Sequence, residues 1–205
     1  METWAIALIV AGIAILVVVL LVLLHMLKNS LQRKKGVLAE NLVTGKLNRF
    51  AKIRSFKVLE NLTFPAGKND TVTVDRALVT FNHVLLFQLR SECDTIYGDA
   101  KDPTWVSVKT DKENITLGRV AFDNPLREAQ KANDAVRRLL TRHKLGKIQT
   151  EYYVVFGDPK VTLSIGQGMP VLNYKTFKAL LGRSKYSEDG PVDVEEVAKL
   201  LQEGK

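Results

Sequence analysis

The stretch TVTVDRALVTFNHVLLFQLR, residues 71–90, holds two runs rich in β-branched and aromatic side chains, 71–80 and 83–89, parted at Asn82. Such runs bounded by a turn residue predict two strands joined by a tight connection. Upstream, residues 55–62 have the same character, and Pro65-Ala66-Gly67-Lys68-Asn69-Asp70 supplies the turn, so the three segments form a meander. Before them, Val37, Leu38, Leu42, Val43, Leu47 and Phe50 recur at helical spacing, predicting a helix over 36–50 that carries Glu40.

Downstream, Asp123 is placed to cap a helix that starts near Asn124-Pro125. Its apolar stripe is Ala129, Ala132, Val136, Leu139 and Leu140, and it ends near Leu145-Gly146. Residues 151–156 and 161–165 read as a hairpin across Gly157-Asp158-Pro159-Lys160, followed by short helices over 174–181 and 194–201. The expected fold class is therefore α/β: one mixed sheet flanked by helices, with a helical tail.

Residues 4–27 form an apolar run without a charged side chain, and Lys28, Arg33, Lys34 and Lys35 follow it. At about 1.5 Å per residue, a helix of that length reaches roughly 36 Å, enough to cross a hydrocarbon core of about 30 Å. A cleavable signal carries its positive charge before a shorter apolar stretch, whereas only Glu2 precedes this one. The expectation is one uncleaved transmembrane helix over 1–27, a basic juxtamembrane segment over 28–35 and a single domain over 36–205. The positive-inside rule puts the N-terminus outside and the domain in the cytoplasm. The one cysteine, Cys93, suits a reducing compartment and reads as a small buried hydrophobe. His25 reads as a boundary residue of the anchor.

After the apolar run, thirty Lys and Arg residues face twenty-one Asp and Glu, a balance of +9. That charge favours acidic partners: anionic lipid headgroups near Lys28, Arg33, Lys34 and Lys35, or nucleic acid. The sequence contains no Gly-Lys-Ser/Thr phosphate loop, no cysteine pair for zinc, no His-Glu-x-x-His and no Gly-x-Ser-x-Gly elbow, so those enzyme classes are excluded. Gly166-Gln167-Gly168 lacks the third glycine and the following lysine of a phosphate cradle and reads as a flexible turn.

Several strings occur in order: Lys35-Gly36-Val37-Leu38-Ala39-Glu40, Val74-Asp75, Leu85-Leu86-Phe87-Gln88-Leu89-Arg90, Thr95-Ile96-Tyr97-Gly98, Trp105 and Asn124-Pro125. As an ordered set they resemble the nuclease-related domain, NERD, over about residues 35–156. The resemblance implies a restriction-endonuclease-like fold and a metal-dependent nuclease site built from a helix Glu, a strand Asp and a Glu-x-Lys on the next strand. Glu40 and Asp75 match the first two, whereas Gln88 and Arg90 stand where Glu and Lys are expected.

Residues alternate faces on a strand, so Gln88 and Arg90 share a side. Magnesium or manganese needs hard anionic oxygens. Glu40 and Asp75 supply two carboxylates, but Gln88 offers a neutral carbonyl and weakens the attraction for a divalent ion. Arg90 keeps a charge for phosphate yet, with a pKa above ~12, does not act as a base. Glu92 lies about 13 Å from Gln88 along an extended strand at ~3.3 Å per residue, too far to replace it without a bulge. On the helix after Asn124, Arg127, Lys131, Arg138 and Arg142 share one face, a stripe suited to a DNA or RNA backbone. Glu128 stands where the resemblance leads one to expect glutamine.

The expected function is a single-pass membrane protein with a cytosolic NERD-like domain whose metal-nuclease site is degenerate and retained for binding nucleic acid or another partner. Its alternatives are an active magnesium-dependent nuclease with an altered ligand set, and a membrane scaffold binding anionic lipid or protein. The resemblance further implies a bacterial or archaeal plasma membrane.

Overall fold

The computed structural model describes residues 13, 15–24, 26–27, 36–67, 70–110 and 115–204. The helix α1, Val37–Arg54, buries Ala39, Val43, Leu47 and Ala51, a stripe at intervals of four. A three-stranded antiparallel meander follows: β1, Lys57–Pro65; β2, Thr71–Val79; and β3, His83–Arg90. The expectation for these four elements holds.

The next stretch was not expected to be regular, and it forms three strands: β4, Thr95–Gly98; β5, Thr104–Thr110; and β6, Thr116–Asp123. They belong to a second sheet. The helix α2, Pro125–Arg142, then leads to β7, Gln149–Phe156. After it come β8, Thr162–Ile165; β9, Val171–Asn173; α3, Tyr174–Leu181; a 3-10 turn, Ser184–Tyr186; and α4, Val194–Glu203. The first sheet runs in the order β1-β2-β3-β7-β9 and the second in the order β6-β5-β4-β8.

The hairpin expected from β7 and β8 does not form. β7 lies parallel to β3, from His83↔Gln149 to Arg90↔Phe156, and β8 lies parallel to β4 in the other sheet. The links β3→β4 and β7→β8 therefore cross between sheets side by side. Gly157 N–H donates to the Arg90 carbonyl at 3.3 Å, and Thr162 N–H to the Asp94 carbonyl at 2.9 Å, tying the two crossings together. Short parallel pairing thus continues from one sheet into the next, which a local turn signature does not reveal.

One core gathers α1, the first sheet, α2, α3 and α4 around Leu47, Leu78, Phe87, Phe177 and Leu201. A smaller one joins Ile96, Trp105, Leu126, Val154 and Phe156 between the two sheets and the start of α2. The α2 cap is Asn124 and not Asp123: its Oδ1 accepts from Leu126 N–H at 3.0 Å, while its Nδ2 donates to the carbonyls of Asp99, Ala100 and Asp102. A residue that satisfies both a helix start and a neighbouring loop is better buried than Asp123, which stays exposed. Cys93 is exposed, not buried as expected.

Among the described residues, no helix is long and apolar enough to cross a membrane. The expected anchor lies partly outside them, as do His25 and the basic residues Lys28, Arg33, Lys34 and Lys35. Residues 13, 15–24 and 26–27 are helical and exposed.

Candidate functional site

Main-chain pairing of β2 with β3 runs from Val79↔Val84 to Arg76↔Phe87. One residue beyond, a side chain takes over, as Asp75 Oδ2 accepts the Leu89 N–H at 2.6 Å. Burial pushes the Asp75 carboxyl above its ordinary range, with the Glu40 charge adding to the rise. The Leu89 N–H and the charges of Arg76 and Arg90 oppose it without cancelling it.

Arg76, beside it, is 4 % exposed. Its Nη2 donates to Glu40 Oε1 at 2.6 Å, its Nε to Thr44 Oγ1 at 2.9 Å, and its Nη1 to the Asp75 carbonyl at 2.6 Å and to Asn61 Oδ1 at 3.3 Å. Glu60 Oε2 lies 3.5 Å from Nη2. A guanidinium taken out of water needs every donor matched, and α1, β1 and β2 converge to match these. Glu40 thus points at a cation, and that cation is an arginine of the protein itself.

Arg90 Nε donates to Glu92 Oε2 at 3.0 Å, Nη2 pairs with Glu92 Oε1, and the guanidinium carbon stands 5.2 Å from the centre of the Phe122 ring. The chain has left the strand by Glu92, which allows this i, i+2 pair. Glu92 therefore neutralises Arg90 and does not replace Gln88. A cavity of about 200 Å³ is lined by Glu40, Asp75, Leu89 and Arg90, together with Gly36, Ala39 and Ser91. Gln88 does not line it, although its register partner Val154 and Arg90's partner Phe156 put both residues on the side of the smaller core. The structure brings Glu40, Asp75 and Arg90 together and leaves Gln88 apart.

Close backbone approach shapes that cavity. Gly36 has φ +72°, and a Cβ there would overlap Ser91. A Cβ on Gly157 would meet the Ala39 carbonyl oxygen at 2.7 Å. Two glycines thus let the start of α1 press against the ends of β3 and β7, which carries Glu40 to the sheet.

Among the described residues, no group of three or more His, Cys, Asp or Glu side chains is placed to hold a metal ion. The donor set agrees: Glu40 is engaged by Arg76, Asp75 by Leu89 N–H, and Gln88 is neutral and does not line the cavity. With these contacts in place, one oxygen each of Glu40 and Asp75 is already held by a protein donor.

The model of the nuclease-related domain matches residues 35–157, more than half of the chain. The chain belongs to the NERD family. No curated protein and no solved structure matches it. The matched NERD region, residues 35–157, takes in both Gly36 and Gly157, the glycines that let α1 press against the ends of β3 and β7. NERD nucleases that are active depend on metal, and this member carries an internal cation beside its helix glutamate.

The basic stripe is real but divided. Arg127, Lys131, Arg138 and Arg142 are all exposed on α2. Arg127 and Lys131 border, with Arg90, an open groove of about 900 Å³ that also presents Asp70, Asp123 and Glu128. Lys131 Nζ sits 3.6 Å from Asp70 Oδ2. Arg138 and Arg142 border a second hollow with Arg137 and Asp134. Arg90 is the wall shared by the groove and the Glu40–Asp75 cavity. Sequence reasoning missed Arg76, although an arginine inside Val74-Asp75-Arg76-Ala77-Leu78 is a signal, because a strand flanked by apolar residues buries it and demands an acid.

Proposed function

We propose that this NERD protein is anchored by its apolar N-terminal run and uses a restriction-endonuclease-like domain to hold nucleic-acid phosphates in the cytoplasm without cutting them. The observation that carries this reading is the 2.6 Å bond from Arg76 to Glu40, which gives the helix carboxylate a fixed cationic partner. A site so neutralised has little electrostatic demand for a divalent ion. Arg127 and Lys131 offer phosphate contacts along the groove that Arg90 shares with the cavity. Anchoring is supported by the uncharged run over 4–27, whose described helical residues expose large apolar side chains such as Ile15, Leu16 and Leu21.

The test uses the full chain in bilayers with labelled single- and double-stranded DNA and RNA, in magnesium, manganese or EDTA. Binding should weaken steeply with salt, ignore EDTA and fall with Arg127→Glu/Lys131→Glu, and no cleavage should appear. Cleavage abolished by EDTA and by Asp75→Ala would establish a working nuclease and overturn the proposal. Cleavage by Gln88→Glu/Arg90→Lys alone would mark a decayed site. Binding to vesicles without any nucleic-acid binding would leave a membrane scaffold.

A further inference from the structure

Among the described residues, the second sheet ends on β6, which pairs with β5. An edge strand is normally guarded by charge, a bulge or a covering element. β6 has a register shift beside Lys109 and Thr110 and carries Arg119, yet it also exposes Leu117 at 60 % and Val120 at 64 %, with Ile115 just before it at 57 %. The register puts Val108 opposite Arg119 and Ser107 opposite Val120. Arg119 therefore lies on the outer face with Val106 and Val108, Val120 lies on the other with Lys109, and Leu117 sits at the register shift between the Gly118 and Thr116 pairs. On that outer face a concave hollow is lined by Tyr97, Val106, Val108 and Arg119 among others. Lys109 and Arg119 are exposed beside these apolar groups.

The geometry points to this hairpin edge as a docking surface for an anionic phospholipid headgroup layer. Three observations select lipid over a second protein. Residues 116–121 of β6 are all exposed, Leu117 and Val120 among them, so both faces of the strand are open; one flat partner sheet covers one side only, whereas immersion in an interfacial layer covers both. The cations beside them, Lys109 and Arg119, complement anionic headgroups, and Tyr97 is the aromatic type that favours the membrane–water boundary.

The third observation is the tether. The domain begins at Gly36, packed against Ser91 four residues before β4, and nine steps of chain from Leu27 span at most about 30 Å. An N-terminal helix in a bilayer thus holds the second sheet at high effective concentration near the headgroups. This part rests on the anchoring proposed above.

The experiment places an environment-sensitive fluorophore at one cysteine in the full chain, on a Cys93→Ser background, in vesicles of phosphatidylcholine with or without phosphatidylserine. Brominated lipids serve as the quencher. Leu117→Cys should be quenched several-fold more strongly than Gln202→Cys on α4, and only with phosphatidylserine present. Adding Lys109→Glu/Arg119→Glu should bring its signal down to the Gln202→Cys level.

Equal quenching at 117 and 202, with Leu20→Cys strongly quenched, would overturn the docking surface while leaving the anchor intact. Absence of quenching at Leu20→Cys would overturn the anchor, and the 117 signal would still decide the docking surface by itself. A blue shift at 117 that grows with protein concentration without vesicles would assign the edge to a second copy of the chain and overturn the lipid proposal.

Discussion

Arg76 Nη2 and Glu40 Oε1 meet at 2.6 Å, joining the first turn of α1 to the middle of β2 through a side chain that is nearly inaccessible to water. The pair is lopsided, because Arg76 is 5 % exposed at its side chain and Glu40 is 49 % exposed. Desolvation therefore weighs on the arginine, whose removal also strands Thr44 and Asn61.

From that asymmetry, Arg76→Met should cost on the order of 3 kcal/mol, and Glu40→Gln about 1 kcal/mol, since the glutamate keeps its access to water. Urea unfolding of the two variants reads the difference. Equal costs would show that the bond, and not the burial of Arg76, carries the stability.

Two carboxylates should respond to acid in opposite directions. Asp75 is raised above its ordinary 3.8, chiefly by burial, so its contribution to stability is present below that value and is lost as pH rises through the elevated native pKa. Asp75→Asn, which keeps an acceptor for Leu89 N–H, should gain on the wild type as pH climbs out of the acid range. Denaturation midpoints taken across that range would show the reverse trend if Asp75 were held charged.

Glu151 behaves the other way. Burial pulls its pKa up, but bonds from Lys185 at 2.8 Å, Tyr153 at 2.6 Å and Tyr186 at 2.8 Å outweigh it and set the pKa below the ordinary 4.5. In the same cluster the Tyr186 hydroxyl is pushed up to about 12, mainly by burial. The Glu151 contribution is present above pH 4.5 and is lost as pH falls through its depressed value. The advantage of wild type over Glu151→Gln should shrink on acidification, with hydrogen exchange rising first around Tyr186.

Gly98 lies under the Trp105 ring so closely that any Cβ would overlap it. Trp105 is fully buried in the smaller core, so it has nowhere to move. Gly98→Ala should therefore destabilise the protein by about 1–3 kcal/mol, as an overpacked core does. An unchanged melting temperature would mean that the second sheet yields freely.

Capping makes a matched comparison at the start of α2. Asn124→Ala removes the Leu126 N–H acceptor and three donor contacts and should cost about 2 kcal/mol, against less than about 0.5 kcal/mol for Asp123→Ala. Thermal melts of both variants check the order.

The sequence by itself determined α1, the β1–β3 meander, α2, α3 and α4, because each buries one face against a core and so writes a regular period into its residues. The family resemblance grouped Glu40, Asp75, Gln88 and Arg90; the structure sets Glu40, Asp75 and Arg90 around one cavity that Gln88 does not line. β6 left no such mark, since an edge strand exposed on both faces imposes no alternation. Nor did the split of β7 and β8 between two sheets, which depends on pairing with β3 and β4 nearly seventy residues earlier, as in His83↔Gln149 and Thr95↔Thr162. Only the tertiary structure decided that Arg76 faces Glu40 and that Glu92 holds Arg90. A buried charge is matched by whatever the fold brings within reach, and for Arg76 that reach spans thirty-six residues of chain.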